Sequence, residues 1–497
     1  MKITSHSLLG SLMLTLSQSH AAYAADTASA TKTLSFPGSQ PTNAVPAPPD
    51  FVSPGFETAF LDNYANAFSA NVISTLANRT SAPVVIRIGG TSGDRVQFDP
   101  SLKSANKTCV KGQCPSGSDA TFVLGPGYFE AFRSFPDAKW TFQAPLGDGT
   151  YNETQLLAYV KCAWEAAGKE RVDAIALGNE PSVYWKTAKE YYDGASKAEK
   201  AVVKALDLGD GKIFQIAETI NTAAASHDPY AGQEVFEAGF KSDTKVKRVG
   251  EHWYQGTKTT FGIEALQADL MNHTSITNRF AGYLKTLNAV QPTDYILSET
   301  GSTIVSGAPL QYSSGFGATP WSVDFQLAAM SRGVKRVVDS VAQRPTTRPS
   351  PRMTRAGADK SRAVLEVALD EEALASAYVM YDSSSKKADR IALVNLKAWA
   401  AGSGSKRGSL AFAVPVADGM ESVRVRKLHA DAGVWAKGFD EGGAEENVTW
   451  AGEQWTYKVD QGKGHYVSGK LEEQTVKVQG GRALVNVPDT EAVIVYL

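Results

Sequence analysis

The sequence predicts an α/β protein: a (β/α)8 TIM barrel followed by a C-terminal antiparallel β-sandwich. Three observations predict it. From residue 51 to 340, apolar strand-like runs alternate with helical patterns, the signature of a parallel sheet. Counted from FVSPGF to GVKRVV, those runs number eight. From residue 374 the pattern changes to short alternating runs separated by Gly, Asp and Ser, which reads as an antiparallel sandwich.

The elements follow in chain order. The barrel runs are 51–56, 83–88 (PVVIRI), 139–144 (KWTFQA), 172–177 (VDAIAL), 212–217 (KIFQIA), 246–252 (VKRVGEH), 293–298 (TDYILS) and 333–338. Helical patterns fall between them at 62–79, 153–167, 187–206 and 263–288. No GxGxxG or GxxxxGK[ST] follows an early run, which argues against a nucleotide-binding sheet. The sandwich runs are ASAYVMYD, RIALVNL, SLAFAVPV, SVRVRKLH, TYKVD, ALVNVP and AVIVYL.

The chain therefore divides into residues 1–24, a signal peptide; 25–50, a Pro-rich linker whose TKTLSFP can add a strand to the β domain; 51–340, the barrel; 341–373, an irregular segment; and 374–497, the sandwich. Lys2, the apolar stretch 8–16 and Ala22-Tyr23-Ala24 form the n-region, h-region and cleavage pattern of a secretory signal. A secreted, extracellular protein is expected. Five N-x-S/T sequons agree with that, at Asn78, Asn106, Asn152, Asn272 and Asn447. Cys109 and Cys114, in TCVKGQC, are expected to close a small disulfide loop, and Cys162 to be a buried free thiol.

Charge excludes other classes. With 50 Lys plus Arg against 52 Asp plus Glu, the net charge is -2, which carries no footprint for nucleic acid. The mean hydropathy is -0.22, and no internal apolar run approaches the roughly 20 residues that span a bilayer, so no membrane partner is expected. Residues 332–362 hold nine basic residues against Asp339 and Asp359, with Pro345, Pro349 and Pro351 breaking regular structure. Without interleaved aromatics this block reads as a solvated loop rather than a polyanion site.

Chemistry in such a barrel sits at the C-terminal ends of its strands. Two carboxylates stand there: Glu180 in ALGNEP after the fourth run and Glu299 in YILSET after the seventh. An isolated strand-end glutamate often caps a helix or pairs with an arginine. A pair is what glycoside hydrolysis needs, one carboxyl to protonate the leaving oxygen and one to attack the anomeric carbon or activate water. Asn179, beside Glu180, suits a hydrogen bond to a sugar hydroxyl.

RIGGTSGDRVQFDP (87–100), ALGNEP (176–181), GEHWYQG (250–256) and SETGSTIVSGAPL (298–310) resemble glycoside hydrolase family 79, which contains heparanases and microbial and fungal β-glucuronidases. The resemblance spans residues 51–335. It implies a retaining enzyme with Glu180 as general acid/base and Glu299 as nucleophile, acting without cofactor or metal on a glucuronate-containing glycan. It further implies Thr91 lining the sugar subsite, Tyr254 orienting Glu299, and backbone N–H groups of Val305, Ser306 and Gly307 binding the uronate carboxylate. His252 is either a second orienting residue or a satisfied core histidine. Asp94 is expected to hold its loop by internal hydrogen bonds. Trp185, Trp253 and Trp321 read as core or rim aromatics.

One departure stands out. Relatives carry a Gly-x-Tyr after strand eight, whose tyrosine contacts the uronate; here GVKRVV runs into the basic segment. A disrupted eighth strand is expected. A retaining barrel glycosidase for neutral sugars, or a non-catalytic family member, is the alternative.

Overall fold

The computed structural model describes residues 31–80, 82–108, 122–147, 152–220, 229–256, 262–303, 315–341, 362–370, 372–437 and 448–497. Eight parallel strands close into a barrel: Val52–Glu57, Val84–Gly89, Ala138–Ala144, Val172–Leu177, Phe214–Ile220, Val246–Gly256, Asp294–Thr303 and Val337–Val341. Apolar residues fill it from both faces, so the second and fourth strands are buried along their whole length.

Closure corrects the expected disruption. The eighth strand begins at Val337, four residues later than its apolar run suggests, and pairs with Val52–Phe56 on one side and the seventh strand on the other. The start of the run serves the preceding helix, Ala318–Ser331, whose exit turns at Gly333 with φ 92°. Lys335 then donates its N–H to the Tyr295 carbonyl, and the strand proper follows.

Two helical patterns are interrupted. Residues 62–79 form Leu61–Tyr64 and Ala67–Thr80, and 263–288 form Ile263–Asp269 and His273–Val290. Asn272 makes the second break, its side chain accepting from the Ser275 N–H as an N-cap. Ala188–Leu206 opens on a capping box between Thr187 and Glu190.

The C-terminal strands form a largely antiparallel sheet system that recruits the N-terminal chain. Lys32–Thr33 pairs in parallel with Phe412–Ala413, and Val45–Pro46 pairs with Ala363–Val364. That second contact corrects the expectation of irregularity across 341–373: Ala363–Glu366 is a strand, covered by Tyr378–Tyr381. Residues 342–361 of the basic segment lie outside the described residues.

Side-chain alternation joins the two domains. Ile391 and Leu393 face the sandwich interior, whereas Ala392 and Val394 belong to the apolar cluster shared with the barrel. A polar network crosses the same junction. His273 lies 2.9 Å from Asp324 and 3.2 Å from Glu366, which Arg332 also contacts. Cys162 is half-buried rather than fully buried, with burial pushing its thiol pKa up. No helix among the described residues is long and apolar enough to cross a membrane.

Candidate active site

The strand ends converge on a cluster of alternating charge. Glu180 follows strand four in left-handed backbone, φ 41°. Its N–H is held by the Glu218 carbonyl at 3.0 Å. Ala217 and Glu218, on strand five, also have positive φ, 74° and 54°. Three non-glycine residues in this sparsely populated region, all at one end of the barrel, are strain of the kind that concentrates at functional sites.

Arg87, on strand two, ties the cluster together. Its guanidinium donates to Glu299 Oε2 at 2.6 Å, to Asn179 Oδ1 at 2.8 Å and to Glu218 Oε2 at 3.0 Å. Tyr254, at the end of strand six, donates its hydroxyl to Glu299 Oε1 at 2.6 Å. His252, fully buried, lies between acids: Nδ1 is 3.0 Å from Glu180 and 3.9 Å from Glu299, and Nε2 is 3.4 Å from Glu218. Tyr283 fixes the His252 backbone by donating to its carbonyl at 2.8 Å.

These contacts set the charges. Burial alone pushes the His252 imidazole down, but the Glu299 charge and the hydrogen bonds of Glu180 and Glu218 carry its pKa up to about 10. Burial pushes Glu299 up, yet the charges of His252 and Arg87 and the bonds from Tyr254 and Arg87 hold it at about 2. Glu218 is likewise kept below the ordinary carboxylate range, burial being outweighed by His252 and Arg87. Asp94 moves the other way, well above its usual value, through burial and the nearby Glu180 charge.

One ligand atom each from Glu180, His252 and Glu299 lies within 4.8 Å of the others, close enough to hold a metal ion. As they stand, the three side chains are engaged with Arg87, Tyr254 and Glu218 in an ion-paired cluster.

Glycines within the RIGGTSGD run and packed against it explain its close packing. A Cβ on Gly90, at φ 94°, would stand 2.0 Å from the Glu57 carboxylate, and one on Gly147 2.3 Å from Asp94 Cβ. Glu57, at the end of strand one, accepts from the Ser92 N–H at 2.8 Å. Asp94 accepts from Gln143 at 2.7 Å.

The structure thus brings Glu180, Glu299, Asn179 and Tyr254 together. Thr91 is exposed, at the start of the short helix Thr91–Asp94. Trp253 and Trp321 are buried among aromatic rings rather than presented to a ligand. Trp185 is half-buried. Asn78 and Asn152 are exposed, and Asn152 caps Glu153–Ala167 as Asn272 caps its own helix. Asn106 lies in a short strand. Val305, Ser306, Gly307, Cys109, Cys114, Asn447 and residues 1–24 lie outside the described residues. Arg87 and Glu218 were not singled out by sequence reasoning.

Comparison with known proteins bears on the fold and its two domains. Residues 377–494 match the glycosyl hydrolase family 79 C-terminal beta domain. The chain is 29% identical over 358 residues to a beta-glucuronidase of Aspergillus niger, covering 66% of this chain and 65% of that one. It is 28% identical over 315 residues to a beta-glucuronidase of Neurospora crassa, covering 58% and 56%. The matched region thus spans less than two thirds of either relative. Among solved structures, a 4-O-α-L-rhamnosyl-β-D-glucuronidase from Fusarium oxysporum superposes with a TM-score of 0.77 at 20% identity, covering 94% of this chain and 100% of that one. An α-L-arabinofuranosidase from Thermotoga petrophila gives 0.61 at 12% identity, covering 94% and 99%. At these identities the superpositions establish the shared fold. The chain is thus similar to glycoside hydrolase family 79, through the family's C-terminal domain over residues 377–494 and through two beta-glucuronidases at 28–29% identity.

Proposed function

We propose that this protein is a secreted retaining β-glucuronidase, removing β-linked glucuronate, including its 4-O-methylated form, from glycans. The observation that carries the reading is the pair Glu180 and Glu299, whose carboxylate oxygens face each other within 4.8 Å. Retaining enzymes place their carboxyl groups about 5–5.5 Å apart, whereas inverting ones leave room for a water between them.

Glu299, ionised and held by Tyr254 and Arg87, attacks the anomeric carbon while Glu180 gives its proton to the leaving oxygen. The glycosidic C–O bond breaks and a glycosyl–Glu299 ester forms. Glu180, now a carboxylate, takes a proton from water, whose oxygen attacks the same carbon and releases Glu299. Asn179, anchored by Arg87, is placed to bind a sugar hydroxyl, and Thr91 borders the subsite. On this reading Val305, Ser306 and Gly307 bind the uronate carboxylate through backbone N–H groups. The signal-like residues 1–24, the Cys109–Cys114 disulfide and the five sequons belong to the same proposal of export.

The missing Gly-x-Tyr after strand eight favours a second reading, a retaining glycosidase for neutral sugars. A panel of p-nitrophenyl glycosides tests both. Preferred hydrolysis of the β-glucuronide, abolished in Glu180→Ala and Glu299→Ala, is expected. Preference for a glucoside or arabinoside transfers the assignment to the second reading, and equal activity in all three proteins removes both.

A further inference from the structure

The cluster holds a third acid with no part in the two-carboxylate mechanism. Glu218 is wholly buried on strand five. It accepts from Arg87 at 3.0 Å and from Gln215, and stands 3.4 Å from His252 Nε2. Its place is built for it: a Cβ on Gly250, on the neighbouring strand, would fall 2.3 Å from Glu218 Oε1.

We propose that Glu218 is a positioning residue for proton transfer: it grips His252 from behind, so that the opposite ring nitrogen is held protonated against Glu180, and it braces the Arg87 that aims Glu299. This deepens the glycosidase reading and rests on it. The charge count shows why a third acid is needed. Arg87 and His252 supply two positive charges, and Glu299 and Glu218 supply two negative ones. Glu180 then stands as the group that alternates between neutral acid and carboxylate as the reaction proceeds. Without Glu218 the cluster carries an excess positive charge, and the His252–Glu180 pair surrenders a proton more readily.

Glu180, Glu218 and Glu299 face His252 from strands four, five and seven. Arg87, Gln215 and His252 contact Glu218 directly. Other titratable groups border these and stand outside that count. Arg248 and Tyr191 feel the Glu218 charge from below and from the adjoining helix. Asp94 faces Glu180, and Glu57 faces Glu299.

Glu218→Gln keeps the shape and removes the charge. Two readouts test it on the full chain. In 15N-histidine NMR, the His252 imidazolium signal, assigned through a His252→Gln control, titrates about one pH unit or more lower than in wild type. In kinetics, the alkaline limb of kcat/KM for methyl β-glucuronide moves to lower pH by a similar amount. Activity falls more for that alkyl leaving group, which needs a proton, than for p-nitrophenolate, which does not. Glu218→Asp, which restores the charge, returns the limb towards wild type. An unmoved His252 titration, or a loss of rate equal for both leaving groups with an unshifted limb, overturns the proposal. If Glu218→Gln does not fold, the wild-type spectrum decides, because a neutral His252 at pH 8 overturns it without any variant. The NMR titration needs no substrate, so it stands even if the glycoside panel fails.

Discussion

The Tyr254 hydroxyl donates to Glu299 Oε1 at 2.6 Å, on the side of the carboxylate opposite the oxygen that Arg87 holds. Each oxygen of the candidate nucleophile therefore has its own donor, and the anion is stabilised without being protonated. Tyr254→Phe removes one donor. The Glu299 pKa is expected to rise from about 2, shifting the acid limb of kcat/KM to higher pH. A hydrogen bond to a charged group contributes about 1.5–3 kcal/mol, so the rate should fall about tenfold to a hundredfold. A pH–rate profile with an unshifted acid limb would contradict this.

The floor of the barrel is tied by a different ion cluster. Asp173 accepts from Arg248 and lies 2.9 Å from both Arg336 and Lys247. Asp173→Asn leaves two buried guanidinium groups undercompensated and is expected to cost about 3–5 kcal/mol. Denaturant unfolding measures it, with activity per folded molecule expected to stay near wild type.

The domain junction responds to pH through His273. Burial pushes its imidazole down, but Asp324 and Glu366 carry the pKa up to about 10. A raised histidine contributes stability fully below its unfolded pKa, about 6.5, and loses it as pH climbs through about 10. Glu366, lowered to about 2, contributes above its ordinary 4.5 and loses that as pH falls towards about 2. Calorimetry from pH 6 to 10 should show wild-type Tm falling, and His273→Gln, less stable at pH 6, showing a flatter decline. Parallel curves would contradict the assignment.

Two glycines with nearly the same φ should behave differently. Gly333, at 92°, has open space around a Cβ, whereas Gly90, at 94°, has the Glu57 carboxylate in the way. Gly333→Ala is expected to cost about 1 kcal/mol from backbone strain alone. Gly90→Ala adds a steric clash, and should cost more and displace Glu57 and Ser92. Thermal melts compare the pair, and equal losses would refute the distinction.

Much of the barrel was legible because its strands are apolar on both faces and so read as short uninterrupted runs. Glu180 and Glu299 were legible for the same reason, since each interrupts the pattern where a run ends. Arg87 and Glu218 were not. Arg87 sits inside an apolar run, and a strand buried on both faces has no alternation to reveal which side chain points inward; Glu218 directly follows the fifth run, where a single strand-end acid reads as a cap or an ion-pair partner. Only the closed barrel shows that both point to the same place. The eighth strand was misplaced because the run GVKRVV merges a helix exit with a strand entry, a boundary set by the turn at Gly333 rather than by hydropathy.

The N-terminal segment bears on how the molecule comes to exist. Arg482 donates to the Leu34 carbonyl, 448 residues earlier in the chain, in the sheet edge where Lys32–Thr33 also pairs. The barrel is thus an insertion within a β domain that both chain ends must complete. At about 5–20 residues per second on the ribosome, the first strand waits on the order of half a minute or more for its partners to be made. The barrel can close during that interval, while the apolar face it shares with the sheet stays uncovered. Nascent chains of this protein are therefore most vulnerable late in synthesis, when a nearly finished barrel still lacks the layer that seals it.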